Sequence, residues 1–300
     1  MKAIELGATL YVPAIKDNLL DTAYGANPSV RSIVICLEDA IREDQVERAE
    51  ARFAEALTQF AARETPVLVF ARPRNIEMLV RLLRLPGIEA IQGFVLPKIT
   101  TQNLPQWLSV LVHGKHAFMP TIEGEEAFDR TALSRLRDQL LPYADRVTAI
   151  RIGGNDILNI LGVRRSNTRT AYDGPLGPVI RDIAGTFLPY GFSVAAPVFE
   201  HFSSTDLLRA EVEQDIEHGL LTKTAVHPLQ METIQSLYRP SGAEMAEARA
   251  ILEKDAPAVF GAHGSMCEPA THSRWAGTII QRAQIYGTAT PVTEAQSRVA

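Results

Sequence analysis

Five short apolar runs in this chain each end in a polar or charged cluster. Ser32-Ile33-Val34-Ile35-Cys36-Leu37 meets Glu38-Asp39, and Val67-Leu68-Val69-Phe70-Ala71 meets Arg72. Gly93-Phe94-Val95-Leu96 meets Pro97-Lys98, and Phe118-Met119-Pro120-Thr121-Ile122 meets Glu123. Val147-Thr148-Ala149-Ile150-Arg151-Ile152 meets Gly153-Gly154-Asn155-Asp156. Apolar runs this short, separated by helical stretches, read as parallel strands buried on both faces. In a closed parallel barrel, polar residues at the carboxyl ends of the strands converge on one face, where catalytic groups sit. The pattern predicts an enzyme and names the residues to watch.

The alternation continues along the chain. Strands are expected at Thr9–Val12, Ser32–Leu37, Val67–Ala71, Ala90–Leu96, Ala117–Pro120, Val147–Ile152, Phe192–Ala196 and Lys223–Val226. Helices are expected from Asp17, a good N-cap, and over Glu43–Ala61, Asn75–Leu83, Leu104–Val112, Asp129–Leu140, Pro178–Leu188 and Asp206–Glu217. Eight strand–helix units of roughly 25 to 30 residues suit a (β/α)8 TIM barrel of about 250 residues. An open doubly wound sheet is the competing α/β architecture, but it usually carries a glycine-rich nucleotide loop after the first strand. Here that strand runs into Pro13-Ala14-Ile15-Lys16, and no such loop follows. Residues 1–240 are therefore assigned to the barrel and 241–300 to a C-terminal helical extension. Gly242–Lys254 and Thr271–Tyr286 are its helices, joined by a glycine-containing loop, and the last dozen residues form a tail.

Composition excludes several partners. A net charge of −5 over 300 residues argues against nucleic acid or an anionic membrane surface. No stretch approaches the ~18 apolar residues that span a bilayer, and the N-terminus lacks a secretory apolar core, so the cytosol is the expected location. The two cysteines, Cys36 in a strand and Cys267 in a late loop, suggest neither a disulfide framework nor a zinc site.

Glu123 and Asp156 carry most weight. They end adjacent strands, so their carboxylates can approach each other, and such a pair suits Mg2+, which takes few protein ligands and keeps several waters. Asp156 could instead cap the turn beginning at Ile157, and Glu123 could be a salt-bridged loop acid. Gly153 and Gly154, with Asn155, let backbone approach a substrate closely, or form an ordinary tight turn. Arg72 presents a rigid fork suited to a carboxylate or an enolate oxygen; its alternative is an ion pair with Glu38. Glu38 and Asp39 read as an acid pair that orients Arg72 or a metal-bound water, or as a solvated loop. Lys98 touches substrate or neutralises these acids. Lys223 and His227 flank the last strand, and His227 could bind substrate or a neighbouring subunit. Arg164, Arg165 and Arg169 crowd the loop 162–174, where they either grip an anionic substrate tail or face solvent.

At these residues the chain resembles the citrate lyase β-subunit-like family within the HpcH/HpaI aldolase group. The segments that carry the likeness are Leu10-Tyr11-Val12-Pro13, Leu37-Glu38-Asp39-Ala40, Arg72, Val95-Leu96-Pro97-Lys98, Ile122-Glu123, Gly153-Gly154-Asn155-Asp156-Ile157 and the run from Lys223 through His227-Pro228 to Gln230. They occur in the family's order at expected strand ends, across residues 9 to about 255. The resemblance implies Mg2+-dependent cleavage or formation of a carbon–carbon bond. The substrate would be a carboxylated 3-hydroxyacyl compound, with a CoA or carrier thioester among the options, giving a 2-oxo acid and an acyl enolate. It implies Glu123 and Asp156 as metal ligands and Arg72 at the enolate. The chain also resembles C–C bond lyase-type barrels grouped with bacterial stress-response systems of the tellurite-resistance kind.

Departures mark a divergent branch. Cys36 stands where the family usually has aspartate, and Ala195-Ala196-Pro197-Val198 lacks the acid usual after the seventh strand. Those losses keep a non-catalytic barrel subunit or ligand sensor as the alternative reading. A pyruvate aldolase of the HpaI type ranks third, because the seven histidines begin at His113 and leave the early strands without a histidine base. The family's habit and the apolar residues Trp275, Ile279 and Ile280 suggest a homo-oligomer, a trimer, although these side chains could pack on the barrel instead.

Overall fold

The structure is a computed structural model that describes residues 1–289. Its centre is a sheet of eight parallel strands: β1 (Ala8–Pro13), β2 (Ser32–Cys36), β3 (Leu68–Arg72), β4 (Gly93–Leu96), β5 (Ala117–Ile122), β6 (Ile150–Ile152), β7 (Val194–Ala195) and β8 (Lys223–Ala225). The spatial order is β7-β6-β5-β4-β3-β2-β1-β8, and a parallel bridge between Ala196 and Lys223 joins the two ends. The result is the (β/α)8 barrel expected from the strand count. The intervening helices are α1 (Leu19–Ala23), α2 (Val46–Ala62), α3 (Ile76–Leu82), α4 (Leu104–Leu111), α5 (Arg130–Leu140), α6 (Gly154–Ile160), α7 (Leu176–Phe187) and α8 (Thr205–Glu217), with α9 (Leu229–Leu237) after β8.

Sequence explains most of these elements locally. In α2, Ala49, Phe53, Ala56, Leu57 and Phe60 are buried at helical spacing and turn one face to the sheet. Asn75 opens α3 by accepting a bond from Met78 N (2.9 Å), and Asp129 opens α5 by accepting from Thr131 N (2.7 Å). Helix α1 differs from expectation. It starts at Leu19, and neither Asp17 nor Asn18 caps it through a side chain. Strand β4 begins at Gly93 because a 3-10 turn, Ile88–Ala90, occupies the chain before it. Strand β6 is shorter than the apolar run suggested, and only a single bridge, Phe118 to Val147, extends its pairing with β5.

The strand interior has two layers. Alternation sends residues i and i+2 of each strand to the same face. Val34, Phe70, Val95, Met119, Ala149 and Ala195 pack into one buried apolar cluster that fills the lower barrel. Two residues further along the same strands stand Cys36, Arg72, Thr121 and Arg151, so the apolar floor gives way to a polar layer at the carboxyl ends.

Packing divides the chain after Ile234, and the unit from Gln235 onward has its own small core. Helices α10 (Gly242–Leu252) and α11 (Pro269–Tyr286) bury Met245, Ala248, Ile251, Ala276 and Ile279 together. Ser241 and Glu244 form a reciprocal cap at the start of α10 (3.1 and 2.7 Å). The expected connecting loop is instead a hairpin, β9 (Phe260–Ala262) and β10 (Ser265–Cys267), with His263 and Gly264 both at positive φ. Cys267, expected in a late loop, lies in β10 and is buried. Both cysteines are free thiols. Trp275 is exposed while Ile279 is buried inside this unit. The expected tail falls outside the described residues but for Ala289. No described helix is long and apolar enough to cross a membrane.

Candidate active site

A cavity of about 490 Å3 opens at the carboxyl ends of the strands. Four of the five strand-end clusters that stood out in the sequence contribute to its lining, and Pro97-Lys98 does not. Arg72 ends β3, Glu123 follows β5, and Gly153 to Asp156 follow β6; all line the wall, with Asp39 at the edge.

Glu38 organises one side. It is 2% exposed, and its carboxylate holds Arg72 Nη2 at 2.6 Å and Lys98 Nζ at 2.7 Å. Burial pushes the Glu38 carboxyl up, against the pull of Arg72 and Lys98. Asp39 spans the same two cations, with Lys98 at 2.9 Å and Arg72 at 3.4 Å. Lys98 has φ of +48°, a left-handed conformation that costs a non-glycine residue on the order of 1 kcal/mol. That backbone turn aims Lys98 N at Glu123 Oε1 (2.6 Å). Arg72 is thus ion-paired with Glu38 and also lines the cavity.

Glu123 is 3% exposed. Its Oε1 accepts from Lys98 N and lies 3.4 Å from Arg72 Nη2, while Oε2 makes no hydrogen bond with the described residues. Burial raises its pKa, Arg72 draws it down and the Asp156 charge adds to the rise, leaving it pushed up to about 7. Asp156 sits in the first turn of α6, three residues past the cap position Gly153, and caps nothing. It forms no hydrogen bond or ion pair with the described residues. Two hard oxygen donors on adjacent strand ends, one with an unengaged oxygen and one unpaired, fit Mg2+. No third His, Cys, Asp or Glu joins them among the described residues, and Mg2+ bound by two carboxylates ordinarily fills its remaining positions with water and substrate oxygens.

Gly153 is required by contact. A Cβ on it would stand 2.3 Å from Glu123 Cβ and 2.4 Å from Glu123 Oε2. Gly153→Ala is expected to push Glu123 aside and destabilise the fold by about 1–3 kcal/mol. Urea unfolding checks the stability cost, and a variant as stable as wild type would show that Glu123 can move freely.

Other residues land elsewhere. His227 lies outside the cavity: its ring stacks on Phe202 (4.9 Å) and its Nδ1 accepts from Leu229 N (3.2 Å). The nearby Gln230 explains its motif position, because its side chain staples Val226 N, His227 N and Phe199 O. Lys223 is fully buried between Glu211 and Asp215 (2.8 Å each). Arg165 is buried too, on Glu211 and on Val198 O (2.7 Å), so only Arg164 and Arg169 of the basic loop are exposed. Cys36 lines the cavity, but burial pushes its thiol up, away from the reactive thiolate.

Sequence reasoning passed over Arg151, Tyr11 and Thr224. Arg151 is 1% exposed, reaches Thr224 Oγ1 (2.7 Å) and lies 5.3 Å from the Tyr11 ring centre. Its inward parity on β6, two residues before Gly153, was the available signal.

Comparison with known proteins agrees with the barrel fold. A (3S)-malyl-CoA thioesterase of Cereibacter sphaeroides is 25% identical over 256 residues, 79% of each chain. Among solved structures, CitE from Mycobacterium tuberculosis, in complex with magnesium, acetoacetate and coenzyme A, superposes with a TM-score of 0.69. That match has 18% identity and covers 94% of this chain and 99% of CitE. A Haloferax volcanii malate synthase bound to magnesium and glyoxylate gives 0.65 at 15% identity, over 78% of this chain and 76% of that one. At such identities the structures speak for the fold alone. The family model for C–C bond lyases of the TIM-barrel fold matches residues 1–288, nearly the whole described chain. With the barrel, its strand-end carboxylates and this match in agreement, the chain belongs to the C–C bond lyase family of the TIM-barrel fold.

Proposed function

We propose that this protein is a Mg2+-dependent lyase that breaks or forms a carbon–carbon bond in a carboxylated 3-hydroxyacyl compound. The observation that carries the reading is the pairing of Glu123 and Asp156 on one cavity wall beside the Arg72 fork. In the cleavage direction the hydroxyl loses its proton and its carbon becomes the carbonyl of a 2-oxo acid. The electron pair of the broken bond passes to the acyl fragment as an enolate, which then takes up a proton. Negative charge thus develops on oxygen in both fragments. Arg72, held in place by Glu38, supplies fixed positive charge to the enolate. Glu123 and Asp156 would hold the cation, which when bound supplies Lewis-acid stabilisation to the 2-oxo acid half. Lys98 N and Gly153 fix Glu123 in its place. Lys98 acts through the acid pair, and Gly154 and Asn155 offer backbone to the substrate. The magnesium, acetoacetate and coenzyme A in the CitE complex support this choice of ligands.

A second reading has specific support. The relative from Cereibacter sphaeroides is a thioesterase, so the same cavity could direct water at a thioester carbonyl. Incubation with malyl-CoA separates the two: a lyase releases glyoxylate and acetyl-CoA, and a thioesterase releases malate and free CoA. Calorimetric titration with Mn2+, alone and with oxaloacetate, glyoxylate or pyruvate, tests the site itself. Metal binding that tightens with a 2-oxo acid is expected. No metal binding would remove the lyase reading and leave a non-catalytic barrel.

Glu123 also sets a pH dependence. Its folded pKa of about 7 lies above its unfolded value, so its protonated form stabilises the metal-free fold below the unfolded pKa, and that contribution is lost as pH rises through 7. A cation needs the carboxylate. Mn2+ affinity is therefore expected to rise up to about pH 7 and level off above it, with nearly one proton released per metal near pH 6. Titrations in buffers of different ionisation enthalpy count that proton, and a pH-independent affinity between 5.5 and 7.5 would remove Glu123 from the metal site.

A further inference from the structure

The cavity holds one cation that nothing in the barrel neutralises. Arg151 is 1% exposed, and its charge meets no carboxylate among the described residues. Nη2 donates to Thr224 Oγ1 at 2.7 Å, Nη1 lies 3.4 Å from the Met119 thioether, and Nε has no partner among the described residues. Tyr11 lies with its ring centre 5.3 Å from Arg151 and 6.0 Å from Arg72, and its side chain also hydrogen-bonds Arg151; as a neutral phenol it leaves the Arg151 charge unpaired. Burial works against the Arg151 charge, Tyr11 supports it and Arg72 opposes it. An arginine does not give up its proton in a protein, and an unpaired buried charge is strongly unfavourable.

The other charges around the cavity are accounted for. Arg72 and Lys98 face Glu38 and Asp39. Glu123 and Asp156 are the pair assigned to a divalent cation. Arg151 remains, below them at the inner end of the same cavity. Thr121 Oγ1, also buried and without a partner, faces the same space. A carboxylate would neutralise the charge and give an open donor its acceptor; Nε and Nη1 lie on opposite flanks of the guanidinium, so each fork it can offer includes Nη2.

We propose that Arg151, with Thr224 holding one end of its guanidinium, is the receptor for a substrate carboxylate additional to the 2-oxo acid group. This deepens the lyase reading and rests on it for the reaction, while the anion site itself stands on Arg151 alone. The substrate class follows. It is a compact acid whose extra carboxylate points into the barrel, and any thioester carrier extends outward through the cavity mouth. Substrates whose inner end is a methyl group leave the guanidinium unpaired and bind poorly.

Pyruvate and oxaloacetate share the 2-oxo acid group and differ by one carboxylate. Calorimetry on the Mn2+-loaded protein is expected to show oxaloacetate binding on the order of 100-fold more tightly than pyruvate. Arg151→Met is expected to erase that preference while Mn2+ and pyruvate affinities stay within about twofold. Its melting temperature should equal or exceed that of wild type, because an apolar side chain replaces an unpaired buried charge. A purely structural arginine would give the opposite: a lower melting temperature and an unchanged preference, which overturns the proposal. Loss of Mn2+ affinity in Arg151→Met also overturns it. If that variant does not fold, Arg151→Lys keeps the charge without the fork. It should lose roughly tenfold of the preference, and an intact preference counts against the proposal. Should wild type bind no Mn2+, the lyase reading fails separately. Succinate binding to the metal-free protein then decides: binding that needs Arg151 upholds the anion site, and no binding sinks it.

Discussion

Replacing Asp156 by alanine is expected to lower Mn2+ and Mg2+ affinity by more than ~100-fold. The fold should barely notice. Asp156 is only partly buried, makes no hydrogen bond with the described residues, and caps no helix, so its loss should change stability by no more than about 0.5–1 kcal/mol. Removal of its charge also relieves Glu123, whose raised pKa owes part of its rise to Asp156. Calorimetric titration of wild type and variant, with thermal unfolding in parallel, separates a ligand from a scaffold residue. Unchanged metal affinity would sink the assignment of the pair. A large loss of stability would show that Asp156 serves the fold.

Arg72→Lys is expected to keep metal binding within a few-fold and to lower kcat by about 10²–10³-fold. The guanidinium reaches Glu38 at 2.6 Å while also lying 3.4 Å from Asp39 and Glu123. A lysine ammonium can replace one of those contacts, but it cannot hold the acids and present a second donor to an enolate at the same time. Glu38 keeps Lys98 as a partner in the variant, so the buried acid is not stranded. Turnover of whichever thioester the product assay identifies, read beside Mn2+ affinity, tests the role. Full turnover would remove Arg72 from the chemistry. Loss of metal affinity would instead make Arg72 part of the frame that holds Glu123.

The two predictions share a physical basis that was partly legible before any coordinates. Glu123 and Asp156 could be paired from sequence because consecutive βα units place consecutive strands side by side, and parallel strands bring their carboxyl ends to one face. Arg72 and Glu38 followed by the same rule, and β2 and β3 are neighbours in the structure. The alternative role of Asp156 as a cap was also local, and it failed because α6 begins earlier than the apolar pattern suggested.

What escaped the sequence was the fate of charges whose partners lie far along the chain. Arg165 looked like a solvent-facing loop residue, yet Glu211, 46 positions away, buries it. Lys223 looked like a strand-end cation, yet Glu211 and Asp215 on α8 enclose it. Arg151 sat unremarked within an apolar run. Its meaning depends on register: Thr121 on β5 and Ala195 on β7 flank it, and its side chain lines the cavity inside the barrel. The His263-Gly264 hairpin was missed because histidine seldom takes the positive φ that such a turn needs.

The sequence by itself determined the barrel and the face on which its polar strand ends gather, because strand spacing and side-chain alternation are short-range and repeat eight times. Tertiary structure alone decided which charges are paired and which are left open. Charge pairing inside a barrel joins residues from different strands, and no local period records it. That is why the two carboxylates could be read early, and why the unpaired guanidinium of Arg151 became visible only when the barrel closed around it.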